Sequence, residues 1–159
     1  MASLTFEGKI SSGRGTHGEL EVPGRDKLPN KAPKEWPSVL CKGSLNICIR
    51  QDGYPDLFEE HGLEKTVKSL DKRPIESSFE IDQGEFGNNK LVPAAEMQEK
   101  GSAQVWRALL ITKEQEIGCW VLRRYGSGLR NELELVSEEH LRTEYNLEDG
   151  QEVRVSLYP

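Results

Sequence analysis

Near its start the chain runs Leu4-Thr5-Phe6-Glu7-Gly8-Lys9-Ile10-Ser11-Ser12 and then Gly13-Arg14-Gly15-Thr16-His17-Gly18-Glu19-Leu20-Glu21-Val22-Pro23-Gly24. How this stretch is read decides the fold. Gly13, Gly15 and Gly18 spell G-x-G-x-x-G after a strand-like segment. A dinucleotide-binding unit requires a helix to open on the third glycine. Here the chain instead alternates from Glu19 to Val22 and ends in a Pro-Gly turn signal. The strand–helix–strand reading fails, and the stretch implies β structure. Three closely spaced glycines let backbone N–H groups approach an anion, and Arg14 and His17 add side-chain donors. The segment is either a phosphate-cradling loop on a β scaffold or a glycine-rich hairpin turn.

Outward from this point, alternation with a period of two dominates. Leu45, Ile47 and Ile49 share one face, opposite Ser44, Asn46 and Cys48. Leu133 and Leu135 alternate with Glu132, Glu134 and Val136. Val153, Val155 and Leu157 alternate with Glu152, Arg154 and Ser156. Val105 to Thr112 and Ile117 to Arg124 read as two strands joined by the turn Lys113-Glu114-Gln115-Glu116. Helical signals are fewer. Ser137 has the character of an N-cap, with acids in the first turn and Leu141 and Tyr145 on one face. A second helix is expected over roughly Asp56 to Leu70, interrupted by Gly62, with its charged part as a solvated face. Pro23 to Pro37 reads as a long surface loop. The pattern implies a mainly β fold: one compact β-barrel domain over residues 1–159 with one or two short helices.

Composition narrows the function classes. Hydrophobic residues are 35%, charged residues 30%, and the net charge is −6. No basic footprint for general nucleic-acid binding is present, although a small anionic ligand remains possible where basic residues converge. No apolar run reaches the length of a membrane span and no signal-peptide core is visible, so a cytoplasmic protein is expected. Cys41, Cys48 and Cys119 form no C-x-x-C, which implies reduced and mostly buried thiols rather than zinc or disulfides. His17, His61 and His140 lack ligand spacing, and the last two read as surface or packing residues. Neither a P-loop nor a G-x-S-x-G elbow is present. Oligomeric state is not legible.

Two further segments carry candidate chemistry. In Lys42-Gly43-Ser44-Leu45-Asn46 the strand period places Ser44 and Asn46 on one face. Two neutral oxygens there suit Mg²⁺ beside phosphates, and they equally suit a plain solvated strand face. In Arg123-Arg124-Tyr125-Gly126-Ser127-Gly128-Leu129-Arg130 three arginines surround two glycines, implying a mobile cationic loop. Tyr125 is placed to stack on a planar ring. Glu134, on the strand leaving that loop, is placed to orient or deprotonate a hydroxyl. An ordinary exposed hairpin with balancing charges fits the same residues.

In order along the chain, these segments resemble the archaeal-type, CTP-dependent riboflavin kinase family. Gly8 to Gly15 with Gly18 resembles its first strand and glycine loop. Gly43-Ser44-Leu45-Asn46 resembles its G-T-L-N motif, Ser44 keeping the hydroxyl of the family's Thr. Phe86-Gly87-Asn88-Asn89-Lys90-Leu91-Val92-Pro93 resembles a central Phe-Gly motif ending in proline. Glu134-Leu135-Val136, Leu141-Arg142 and Leu147-Glu148-Asp149-Gly150-Gln151-Glu152-Val153 resemble its C-terminal signature. About residues 52 to 80 have no counterpart. The loop residues Arg14, Thr16 and His17, and the lengthened loop after Tyr125, depart from the family pattern.

The resemblance implies a six-stranded cradle-loop β-barrel and transfer of a phosphoryl group from CTP, or another nucleotide, to riboflavin. It implies nucleotide binding by Gly13, Arg14, Gly15, His17 and Gly18, Mg²⁺ at Ser44 and Asn46, and flavin contacts from Arg124 and Tyr125. Glu134 would act on the acceptor hydroxyl. The alternative from another class is a barrel of the same fold that binds nucleotide, flavin or a protein partner without catalysis. A DNA-binding barrel is disfavoured by the acidic balance.

Overall fold

The computed structural model describes residues 3–11, 21–86 and 102–159. The glycine segment with Gly13, Arg14, Gly15, His17 and Gly18 lies outside the described residues, as do Gly87 to Pro93 of the central motif. Seven strands form one sheet: β1 Leu4–Ser11, β2 Leu45–Ile49, β3 Phe79–Ile81, β4 Ala103–Ile111, β5 Glu116–Arg124, β6 Glu132–Val136 and β7 Glu152–Tyr158. Six of them run β4-β5-β6-β2-β1-β7 and close through β7 against β4, every neighbouring pair antiparallel. This is the expected β-barrel. The two helices are short, α1 Asp56–Glu60 and α2 Leu141–Glu144.

The alternation read from the sequence sorts the two sides of the wall. Phe6, Ile47, Trp106, Val121, Leu135 and Val155 point inward and are wholly buried. Each such side chain contributes roughly 1.5–3 kcal/mol through burial. Gly8 stands where β1 crosses closest to β2. A Cβ there would lie 2.1 Å from the Cys48 carbonyl oxygen, so no larger residue fits without moving backbone.

One edge of β4 serves two partners. Ala103 to Val105 pair with β3, and Arg107 to Ile111 pair with β7. Ser78 joins them: its N–H donates to the Val105 carbonyl at 2.8 Å, and its hydroxyl accepts the Arg107 N–H at 3.0 Å and donates to the Tyr158 carbonyl at 3.2 Å. The outer strand β3 builds a second apolar cluster outside the barrel. Leu28 and Trp36 join it, which corrects the reading of Pro23 to Pro37 as a surface loop. That segment has no strand, yet Trp36 is fully buried, with ring centroids 4.9 Å from Phe79 and 5.0 Å from Trp120. Its indole N–H donates to the Pro23 carbonyl at 2.9 Å, so the buried polar atom is satisfied.

Other expectations are revised. The region read as one helix from Asp56 divides into α1 and a 3₁₀ turn Val67–Lys72, separated at Gly62, which has φ +68°. That turn buries Val67 and Leu70 in the barrel core, so it is not a purely solvated face. Ser137 does not cap α2; its hydroxyl accepts the Glu139 N–H in a local turn. The cap is His140, whose Nδ1 accepts the Thr143 N–H at 3.3 Å. Of the thiols, only Cys119 is buried, while Cys48 is exposed and Cys41 half-buried, all free. The turn at Glu148-Asp149-Gly150 leads into β7, with Gly150 at φ +85° and its N–H donating to the Ile10 carbonyl at 2.7 Å. Among the described residues no helix is long and apolar enough to cross a membrane.

Candidate active site

The barrel order sets β2 beside β6, and their register places Asn46 directly opposite Glu134. Both side chains lie on the outer face of the wall, because Ile47, Leu133 and Leu135 take the inner one. Neither is solvated: Asn46 is 2% exposed and Glu134 is 5%. Gly43, at φ +87°, leads into β2 and brings in Ser44. The Ser44 hydroxyl sits 3.0 Å from Asn46 Oδ1 and 3.3 Å from Glu134 Oε2. Three residues that the sequence separates by up to 90 positions therefore form one cluster.

A carboxylate buried to this degree needs compensation. The Ser44 hydroxyl supplies one donor, and Arg124 supplies a positive charge. Arg124 follows Leu122, the β5 register partner of Glu134, by two residues on the same face. Its guanidinium stacks over the Phe86 ring at 4.5 Å. Burial lowers its pKa from the usual guanidinium value, and the charge of Glu134 acts in the opposite direction. Asn46 Nδ2, by contrast, is buried with no hydrogen-bond acceptor among the described residues. An orphaned amide donor in a polar cluster is costly unless a ligand or water accepts from it.

Ser44 Oγ donates a hydrogen bond to Asn46 Oδ1 at 3.0 Å, and both are neutral oxygens of the kind that hard divalent cations accept as ligands. The next pair along the same face extends the polar strip: Ser11 is opposite Asn46, and its hydroxyl donates to Glu132 at 2.6 Å.

Tyr125 is 42% exposed, so its ring is available at the surface beyond Arg124. The cationic loop is not uniformly mobile. Arg123 faces the opposite way from Arg124 and is buried in a bidentate pair with Asp71, both contacts 3.0 Å. It also donates to the carbonyls of Leu129 at 3.0 Å and Ser127 at 3.1 Å, which fixes the loop against the Val67–Lys72 turn. The structure thus brings Ser44, Asn46, Glu134 and Arg124 together, while Tyr125 follows Arg124 in the chain as an exposed side chain.

Three neighbours were not legible as site residues. Phe86 is the platform for Arg124, and only the Phe-Gly pattern pointed to it. Arg142 ties α2 to the end of β1 through the Ser11 carbonyl at 3.0 Å, and pairs with Asp149 at 2.7 Å. His140 is a surface residue, as expected, and in addition caps α2. The class that fold and cluster define is a closed six-stranded barrel with a desolvated Ser–Asn–Glu site on its outer wall. No family model and no curated protein matches the chain.

Proposed function

We propose that the chain is a riboflavin-kinase-like phosphotransferase, moving a phosphoryl group from CTP or another nucleoside triphosphate to riboflavin to give FMN. The observation that supports this most is the Ser44–Asn46–Glu134 cluster, with Ser44 Oγ and Asn46 Oδ1 3.0 Å apart and a carboxylate 3.3 Å from the same hydroxyl. Phosphoryl transfer asks a protein for positioning and charge stabilisation more than for covalent chemistry. Bound Mg²⁺ would neutralise the phosphate oxygens. Ser44 and Asn46 would hold it through neutral oxygens, and Asn46 Nδ2 would donate to a phosphate oxygen. Glu134 orients the acceptor hydroxyl and takes its proton as the oxygen attacks the terminal phosphorus. The bond to the bridging oxygen then breaks and nucleoside diphosphate leaves. Arg124 holds a fixed positive charge beside Glu134, and Tyr125 offers a ring for the flavin.

One observation favours the second reading, a barrel that binds nucleotide or flavin without transfer. The Ser44 hydroxyl already reaches both Asn46 and Glu134, so most of the cluster closes on itself without metal. Asn46→Ala distinguishes the two. It removes the Oδ1 ligand and the orphaned Nδ2 while Ile47 still faces the core. The kinase reading expects Mg²⁺-dependent nucleotide affinity to fall about tenfold or more, with the melting temperature retained. Unchanged Mg²⁺-dependent affinity, measured by calorimetry, would remove the metal site.

A further inference from the structure

Tyr125 to Asn131 joins β5 to β6 without a strand or helix of its own, and such a loop is ordinarily a mobile part of a β protein. Here one short stretch, Thr66 to Asp71, holds it at both ends. At the near end the Asp71 carboxylate accepts from Arg123 Nε and Nη2, both at 3.0 Å, and from the Gly126 N–H at 3.2 Å. At the far end the Arg130 carbonyl accepts from the Thr66 hydroxyl at 2.6 Å and from the Val67 N–H at 2.7 Å. The clamp is itself rooted in the barrel. Val67 and Leu70 are wholly buried in the core, and Gln104 Nε2 donates to the Leu70 carbonyl at 2.9 Å. Clamp and loop are both places where this sequence departs from the family it resembles: about residues 52 to 80 have no counterpart there, and the loop after Tyr125 is lengthened.

Arg123 and Arg124 are consecutive residues of β5, so strand alternation sends them to opposite faces. Pinning Arg123 on the inner side therefore fixes the backbone of Arg124 on the outer side. There the Arg124 guanidinium lies 4.5 Å from the centre of the Phe86 ring, and its charge and that of Glu134 act on one another. The end of β5 is held from the other side too, by the Tyr125 N–H, which donates to the Ser102 carbonyl at 2.8 Å.

We propose that Asp71 is a positioning residue, which through Arg123 holds the Arg124 guanidinium beside Glu134 for the transfer step. Its chemical role rests on the phosphotransferase reading, and its geometry on the clamp alone. A fixed charge beside a reacting group is effective only while its distance is held. A displacement of about 1 Å, even one caused far from the chemistry, can cost about 10²-fold in rate.

Variants of the full chain separate positioning from stability. Asp71→Asn strands Arg123, whereas Asp71→Asn with Arg123→Met removes the whole pair, and its melting temperature should be no lower than that of the single variant. Each is followed by thermal unfolding, by FMN formation, and by the NMR signal of the Arg124 Nε–H, which is assigned by its loss in Arg124→Lys. In the wild-type chain that signal should be shielded by the Phe86 ring. In the folded double variant it should move to the position of a solvated arginine, and turnover should fall about 10²-fold. Asp71→Asn alone should show the same two changes, so the reading does not depend on the double variant folding. Thr66→Val frees only the Arg130 end and should leave the Arg124 signal in place. An unmoved Arg124 signal in both Asp71 variants overturns the proposal, as does wild-type turnover in a variant whose signal has moved. A Thr66→Val variant as impaired as the Asp71 variants overturns it as well, because general loosening of the loop would then account for the loss. If the wild-type chain forms no FMN, the phosphotransferase reading fails on its own, and the Arg124 signal still decides whether Asp71 places the guanidinium.

Discussion

Asp71→Asn should be among the most destabilising single changes that preserve side-chain shape. Arg123 and Asp71 are 5% and 16% exposed and meet through two contacts of 3.0 Å. Asp71 Oδ2 also accepts the Gly126 N–H at 3.2 Å, so one carboxylate holds both the arginine and the loop. Asparagine offers one acceptor and turns an NH₂ toward the guanidinium. The buried Arg123 then keeps its charge without a counter-charge. Removing one partner of a buried pair costs about 3–5 kcal/mol. For a chain of this size each kcal/mol moves the melting temperature by about 2–4 °C, so a fall of about 6–20 °C is expected. Urea denaturation followed by tryptophan fluorescence gives the free energy directly. Adding Arg123→Met removes the stranded charge, and the double variant should be no less stable than the single one. A loss below about 0.5 kcal/mol in Asp71→Asn would show that the pair is solvated and that the loop beside Tyr125 is held by something else.

Trp36→Ala should cost about 3–5 kcal/mol by urea denaturation, because it empties the centre of the outer apolar cluster; a cost under about 1 kcal/mol would mean that cluster is not cooperative with the barrel. In native protein a thiol reagent at pH 8 should modify Cys48 first and Cys41 next, with Cys119 reacting only after denaturation. Burial raises the Cys119 thiol to about 12 from an ordinary 9.0 and the Tyr54 phenol to about 12 from 10.0. Both acids are held neutral in the fold, so their contribution is complete below pH 9 and is lost as pH rises from about 9 toward about 12. Stability measured at pH 8 and pH 10.5 should show that fall, and Cys119→Ala should reduce it.

The strand content was legible because alternation is a local property. Ala103–Ile111 and Glu116–Arg124 carry it through the Lys113 to Glu116 turn almost residue by residue. A barrel was expected, but which strands pair to close it was not legible, since β1 pairs with β7 across nearly the whole chain and β2 pairs with β6 across about 90 positions. For the same reason the sequence placed Asn46 and Glu134 on outward faces but not opposite one another. The parity of β5 did carry one unused signal. Arg123 shares its face with Cys119 and Val121, so it had to turn inward, while Arg124 turned out toward Glu134. Trp36 was missed because it sits among Pro, Lys and Glu with no periodicity, and its burial comes from an outer strand of only three residues. The capping role of His140 was not legible because Ser137, three residues before it, offers the more familiar cap chemistry.

The central claim is that the Ser44–Asn46–Glu134 cluster carries phosphoryl transfer, and Glu134→Gln tests it most directly. The full chain is incubated with riboflavin, Mg²⁺ and each nucleoside triphosphate in turn, and FMN is quantified by chromatography. The account predicts FMN from the wild-type chain with at least one nucleotide. It predicts a fall of about 10²–10⁴-fold in turnover for Glu134→Gln, with riboflavin and nucleotide affinities unchanged. A wild-type chain that binds flavin or nucleotide yet forms no FMN with any donor would contradict it, as would Glu134→Gln turning over at the wild-type rate.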